Sequence, residues 1–312
     1  MQAEIAGRRI RTEGSVGPVE VDLRWLVPAA GSVLALAVLA PGGLALLAFL
    51  GLVIALHEAG HFVVARRSGI QPTEFFWGFG PPLLSVRVGS CRYGIRALFL
   101  GGFVRLEGMT PTSELPDGFD EAGTYRAASH RSRLATILAG PGINLVTGWL
   151  AFAGGRVVAG GSPGSAMVRG LGDAWAVVEA TGWSLLTLAA NLGGYVQAVL
   201  DQSGQTDAPV RFLSPVAQAQ TSQLAIELGP DVVLQWFGIL SVAVGVINLV
   251  PLPPLDGGHA VVAAADGALG RLRRDEHVRL DANRLVPLAW ITVVVLVALS
   301  VSALVLDLRD LA

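Results

Sequence analysis

Long apolar stretches alternate along the chain with short connections rich in glycine, proline or arginine. The apolar runs occupy residues 25–40, 44–65, 134–155, 174–200, 232–250 and 285–306. A helix needs about 20 residues to cross the hydrocarbon core of a bilayer, so the runs at 44–65, 134–155, 232–250 and 285–306 predict transmembrane helices. Two runs stay open. Residues 25–40 are short, and Pro41, Gly42 and Gly43 separate them from the next run as the turn of a helical hairpin would; the alternative is an N-terminus outside and one span fewer. Residues 174–200 are long enough but carry Glu179, Asn191 and several glycines, so they either span or lie along the surface with tryptophans at headgroup level. Residues 83–106 follow another rhythm, two β-branched and apolar runs broken at Gly89 and Ser90, which predicts a β-hairpin.

Composition supports a membrane solvent. Of the 312 residues 52% are hydrophobic and 15% charged, and the mean hydropathy is +0.58. The expected fold is an α-helical multi-spanning membrane protein with four to six transmembrane helices and a small membrane-associated β-hairpin. A tail of residues 1–24 precedes the membrane domain at 25–306, and residues 307–312 follow it. A net charge of −2 without a basic block gives no reason to expect a nucleic-acid partner. The single cysteine, Cys91, excludes an internal disulfide and a Cys-based structural metal site.

All basic residues are arginines, and their placement predicts orientation. Arg66, Arg67, Arg87, Arg92, Arg96, Arg105, Arg126, Arg131 and Arg133 fall between residues 65 and 134, and Arg271, Arg273, Arg274, Arg279 and Arg284 between 257 and 284. Both segments, and the hairpin within the first, are therefore expected in the cytoplasm. Residues 155–231 hold only Arg156, Arg169 and Arg211 and are expected outside. Arg8, Arg9, Arg11 and Arg24 favour an N-terminal tail inside.

Inside the apolar run at 44–65 the chain reads HEAGH, His57 to His61. Residues four apart share a helix face, so the two imidazoles can reach one ion while Glu58 stands beside it to take a proton from bound water. The competing reading is polar contact between packed helices, which explains polarity but not this spacing. Catalytic zinc sites commonly use three protein ligands and a water. Asp256 is the only carboxylate in GVINLVPLPPLDGGH, residues 245–259, where Pro251, Pro253 and Pro254 prevent a regular helix. His259 is the rival ligand, expected at the surface beyond the glycine pair; a plain Asp-Gly turn is the bland alternative. In AGPGIN, residues 139–144, Asn144 either packs helices together or hydrogen-bonds the catalytic segment or a substrate.

HEAGH at 57–61, RRSGI at 66–70, GFG at 78–80, LGGFVRLEG at 100–108, AGPGINLV at 139–146 and NLVPLPPLDGG at 248–258 together resemble the site-2 protease family of intramembrane zinc metalloproteases. The resemblance implies one zinc ion per chain on His57, His61 and Asp256, with Glu58 as general base. It implies that Asn248, Asn144, Gly101 and Gly102 meet the substrate, and that the hairpin can pair with an unwinding substrate as an added strand. Transmembrane proteins such as anti-sigma factors or signal-peptide remnants are the implied substrates, first cut outside by a site-1 protease. Membrane lipid is the surrounding partner, and the implied location is a bacterial plasma membrane with the active site toward the cytoplasm. The PDZ domain of many bacterial relatives has no counterpart, because residues 155–172 are too short for one. A metal transporter would spread ligands along a path, whereas His130 and His277 lie in expected cytoplasmic loops. A silent scaffold would be expected to lack Glu58 or a ligand.

Overall fold

A computed structural model describes residues 16–109, 114–200, 213–274, 280 and 282–310. Arg8, Arg9, Arg11, Arg211, His277, Arg279 and the last two residues lie outside them. In chain order the elements are β1 (Glu20–Val21), α1 (Leu23–Leu39), α2 (Pro41–Arg67), β2 (Pro72–Val88) and β3 (Cys91–Leu106), then α3 (His130–Val158), α4 (Pro163–Ala190), α5 (Leu192–Leu200), α6 (Pro215–Leu228), α7 (Pro230–Asn248), α8 (Asp256–Arg273) and α9 (Val286–Asp310).

Among the described residues four helices are long and apolar enough to cross a membrane: α2, α3, α7 and residues 286–306 of α9. The chain is an integral, multi-span helical membrane protein. Proline opens α2, α4, α6 and α7, where its missing N–H costs nothing. Ser129 and Ser214 cap α3 and α6 through their side-chain oxygens. Residues 174–200 divide at Asn191 between α4 and α5, and α4 starts earlier than the apolar run, at Pro163.

Helices α2, α3 and α7 form the centre. Leu46 and Val53 of α2 pack with Ala225 of α6 and with Trp236 and Leu240 of α7. Phe152 of α3, Ala174 of α4 and Val242 of α7 form a second cluster. At the other end of α3, Ile137 packs with Ala65, Ile70, Leu106 and Tyr125 beneath the sheet. Two polar groups inside this packing are paired: Trp236 donates its indole N–H to Ser222 Oγ at 3.0 Å, and Ser241 Oγ donates to the Asn144 carbonyl at 2.8 Å.

β-structure begins at Pro72, eleven residues before the alternating pattern announces it. The stretch 72–82 reads as a loop because it holds Gly78, Gly80, Pro81 and Pro82. Both glycines have positive φ, 93° and 80°, so they bend the strand without ending it. β2 pairs antiparallel with β3, from Pro72 opposite Leu106 to Val88 opposite Cys91, and residues 74–77 also lie beside 92–95. β1 adds to the other side, with Glu20 opposite Ser85. The sheet does not stop at the end of α2, because Trp77 lays its indole against α2 at Gly51, about 24 Å back along the helix from Arg67. Phe79 and Leu98, paired at that tip, are 46% and 55% exposed. Apolar side chains are thus left exposed on the sheet alongside the apolar helix α2.

The proline-rich stretch after α7 is non-helical, and the chain becomes helical again at Asp256 itself. A side chain on Gly257 would strike the carbonyls of Leu249 and Val250, and one on Gly258 would strike the backbone of Pro253. The glycine pair therefore lets the preceding loop fold directly onto the first turn of α8, which aims Asp256 inward. Lower on α8, buried Asp266 pairs with buried Arg133 of α3 at 2.8 Å and accepts the backbone N–H of Leu280 at 2.7 Å.

Candidate active site

His57 and His61 lie one turn apart on α2, facing α3, and are 6% and 8% exposed. Their Nε2 atoms are 3.1 Å apart. Asp256 Oδ2 comes from the start of α8 to within 2.8 Å of His57 Nε2 and 3.3 Å of His61 Nε2. Sequence spacing puts the histidines together, but only the folded-back loop brings in the carboxylate.

Three features fit this group to a divalent ion. First, Asp256 Oδ2 is buried without an aligned hydrogen bond despite its closeness to both nitrogens. The three atoms lie within 4.8 Å of one another, close enough to share one ion. Second, two imidazoles and a carboxylate form a donor set used by catalytic zinc, which keeps a fourth position for water. Third, α3 leaves the space open at Gly140, where a Cβ would overlap His61 Nε2 and lie 2.6 Å from His57 Nε2.

Each histidine is also held from behind by α3. His61 Nδ1 lies 2.8 Å from the Thr136 carbonyl, which can only accept, so Nδ1 carries the proton and Nε2 presents its lone pair. His57 Nδ1 faces the Asn144 side-chain amide at 3.1 Å. Thr136, Gly140 and Asn144 are spaced four apart on α3, one stripe against the two histidines. Asn144 was singled out from sequence, but Thr136 and Gly140 were not, although that i, i+4, i+8 spacing was there to be read.

Glu58 lies beside this group, on the side of α2 that meets β3. Its carboxylate accepts a hydrogen bond from the Val104 backbone N–H. Gly102 lies against it, since a Cβ there would be 3.3 Å from Glu58 Cγ. The stretch from Gly101 to Val104 therefore runs along α2, with Gly101 covered by the ring of Phe79. Asn248 ends α7 half-buried and donates to the Val244 carbonyl at 3.0 Å, one turn back in its own helix. Asn144 has no exposed surface. His259 is half-buried rather than fully at the surface, because α8 runs straight through the glycine pair. It lines a cavity of about 20 Å³, room for one water, with Tyr125, Arg133 and Asp266. Burial pushes its imidazole pKa down.

A helical bundle in which two histidines and an aspartate converge at membrane depth beside a glutamate defines a membrane-embedded metallopeptidase class, and the sequence agrees: residues 45–286 match peptidase family M50, and the chain belongs to that family. The site-2 protease resemblance carried by the motifs is thereby borne out. Among individual proteins, the zinc metalloprotease Rip1 of Mycobacterium tuberculosis is 50% identical over 93 residues, 30% of this chain and 22% of the relative. Rip1 of Mycolicibacterium smegmatis is 40% identical over 111 residues, 34% of this chain and 27% of the relative. The matched stretch thus spans about a quarter of the length of these curated relatives.

Proposed function

We propose that the chain is a zinc-dependent endopeptidase that hydrolyses peptide bonds within transmembrane segments, with His57, His61 and Asp256 holding the ion. The observation that carries this reading is the convergence of His57 Nε2, His61 Nε2 and Asp256 Oδ2 beside Glu58. Zinc bound there supplies Lewis acidity, polarising the scissile carbonyl and lowering the pKa of water. Glu58 takes the proton of the attacking water and returns it to the leaving amine, so base and acid are one carboxylate.

A peptide carbonyl inside a helix is already hydrogen-bonded, so a substrate must unwind before it is cut. The stretch from Gly101 to Val104 beside Glu58 supports a role as the strand on which the unwound segment pairs. On this reading Gly101, Gly102 and Asn248 meet the substrate: the glycines let Phe79 and Glu58 pack closely on that strand, and Asn248 ends α7 just before the loop that leads to Asp256. The arginine distribution supports a site toward the cytoplasm of a bacterial plasma membrane. In that setting the substrates are single-span proteins, such as anti-sigma factors or signal-peptide remnants, already shortened outside by another protease.

The test is cleavage of transmembrane peptides by the purified protein in bilayers, with zinc quantified per chain. Cleavage abolished both by chelation and by Glu58→Gln supports the proposal. Absence of bound zinc overturns the ligand assignment.

A further inference from the structure

Helices α4 and α7 meet where Ala174 packs with Val242 and with Phe152 of α3. Toward the starts of both helices they part, and the space between them and the end of α3 is an open groove of about 510 Å³. Its lining is divided. Arg156, Ser165, Arg169, Asp173 and Gln235 supply polar groups, and Phe152, Val177 and Ile239 an apolar wall. Arg156 Nε and Nη2 donate to Asp173 Oδ2 and Oδ1 at 2.6 and 2.7 Å, a bidentate pair in which the two charges cancel. Arg169 has no acidic partner among the described residues, so the lining carries one net positive charge.

Depth gives this division its meaning. α3 and α7 are both long and apolar enough to cross the bilayer, and at this side of it they end at Val158 and Pro230. Arg156 lies about 3 Å from the end of its helix, whereas Phe152 and Ile239 lie about 9 and 14 Å in from theirs. The charges therefore sit at headgroup level and the apolar wall at the level of acyl chains. A zwitterionic headgroup would bring an ammonium to a lining that is already positive, so charge favours an anionic one. We propose that the groove holds one anionic phospholipid, its phosphodiester on Arg169 between Ser165 and Gln235, and one acyl chain along Phe152, Val177 and Ile239. The inference stands apart from the zinc reading, because Thr136, Gly140 and Asn144 occupy the other half of α3.

The test is native mass spectrometry of the full-length protein in lipid-free detergent. It is titrated with dioleoylphosphatidylglycerol, with dioleoylphosphatidylcholine and with the chain-free headgroup glycerophosphoglycerol. One phosphatidylglycerol per chain should be retained about 10-fold or more in preference to phosphatidylcholine, and the chain-free headgroup should not displace it. Arg169→Gln removes the unpaired charge and Ile239→Trp fills the apolar wall; each should weaken retention about 10-fold or more. Arg67→Gln, at the exposed far end of α2, should leave retention unchanged, which separates this groove from a general attraction of lipid to arginine. Equal retention of the two lipids, full retention in Arg169→Gln, or an equal loss in Arg67→Gln overturns the proposal. So does displacement by the chain-free headgroup, by an added transmembrane peptide or by a second copy of the chain in a lipid-free dimer, each of which gives the groove to that occupant.

Discussion

Gly140 of α3 and His61 of α2 approach so closely that any side chain at 140 would overlap His61 Nε2. The room for an ion is thus made by a missing side chain as much as by the ligands present. Gly140→Ala is expected to reduce zinc affinity at least 10-fold and to abolish cleavage. Circular dichroism should show helical content retained. Full zinc occupancy in that variant would place the ion elsewhere.

Glu58→Gln keeps size and position but removes the base. The expected result is a fall in kcat of about 10²- to 10⁴-fold with zinc content unchanged. Asp256→Asn should behave oppositely, losing metal first. Measuring both quantities on both variants separates base from ligand.

The Arg133–Asp266 pair is buried on both sides and ties α8, with Asp256 at its start, to α3. Asp266→Asn leaves a guanidinium buried without its counter-charge, at a cost of about 3–5 kcal/mol. The thermal midpoint in detergent should drop accordingly. The double substitution Arg133→Leu with Asp266→Leu should recover much of the loss, because no charge is then stranded.

Gly102 lies against Glu58 and Ile54. Gly102→Val would push the strand off the catalytic helix, so cleavage should fall while zinc stays bound. Both KM and kcat are expected to suffer, since strand and base are displaced together; an unchanged kcat/KM would remove β3 from the substrate path.

Much of this was legible along the chain, and the exceptions have physical causes. α2, α3, α7 and α9 follow from runs of apolar residues long enough for a bilayer, and His57 and His61 from helical spacing. α8 was hidden because Gly257 and Gly258 read as a turn, whereas here they permit close contact with the preceding loop. The first half of β2 was hidden by glycines and prolines that bend it without ending it. The Arg133–Asp266 pair joins residues far apart in sequence, and one-dimensional pattern cannot match such partners. Thr136 contributes only its carbonyl to the site, and a backbone atom has no residue type to announce it.

The sheet that reaches from the end of α2 to Gly51 also constrains the lipid. A strand edge in hydrocarbon has backbone groups with nothing to bond, at several kcal/mol for each. Any stretch of edge that neither β2 nor Glu58 satisfies must therefore meet water or a guest peptide, never acyl chains. A sheet placed in the bilayer alongside α2 would hold a moist indentation in an otherwise dry layer, where the lipid thins or parts. On the proposed reading, the hydrolytic water would then have a short route in along the same strand that receives the substrate.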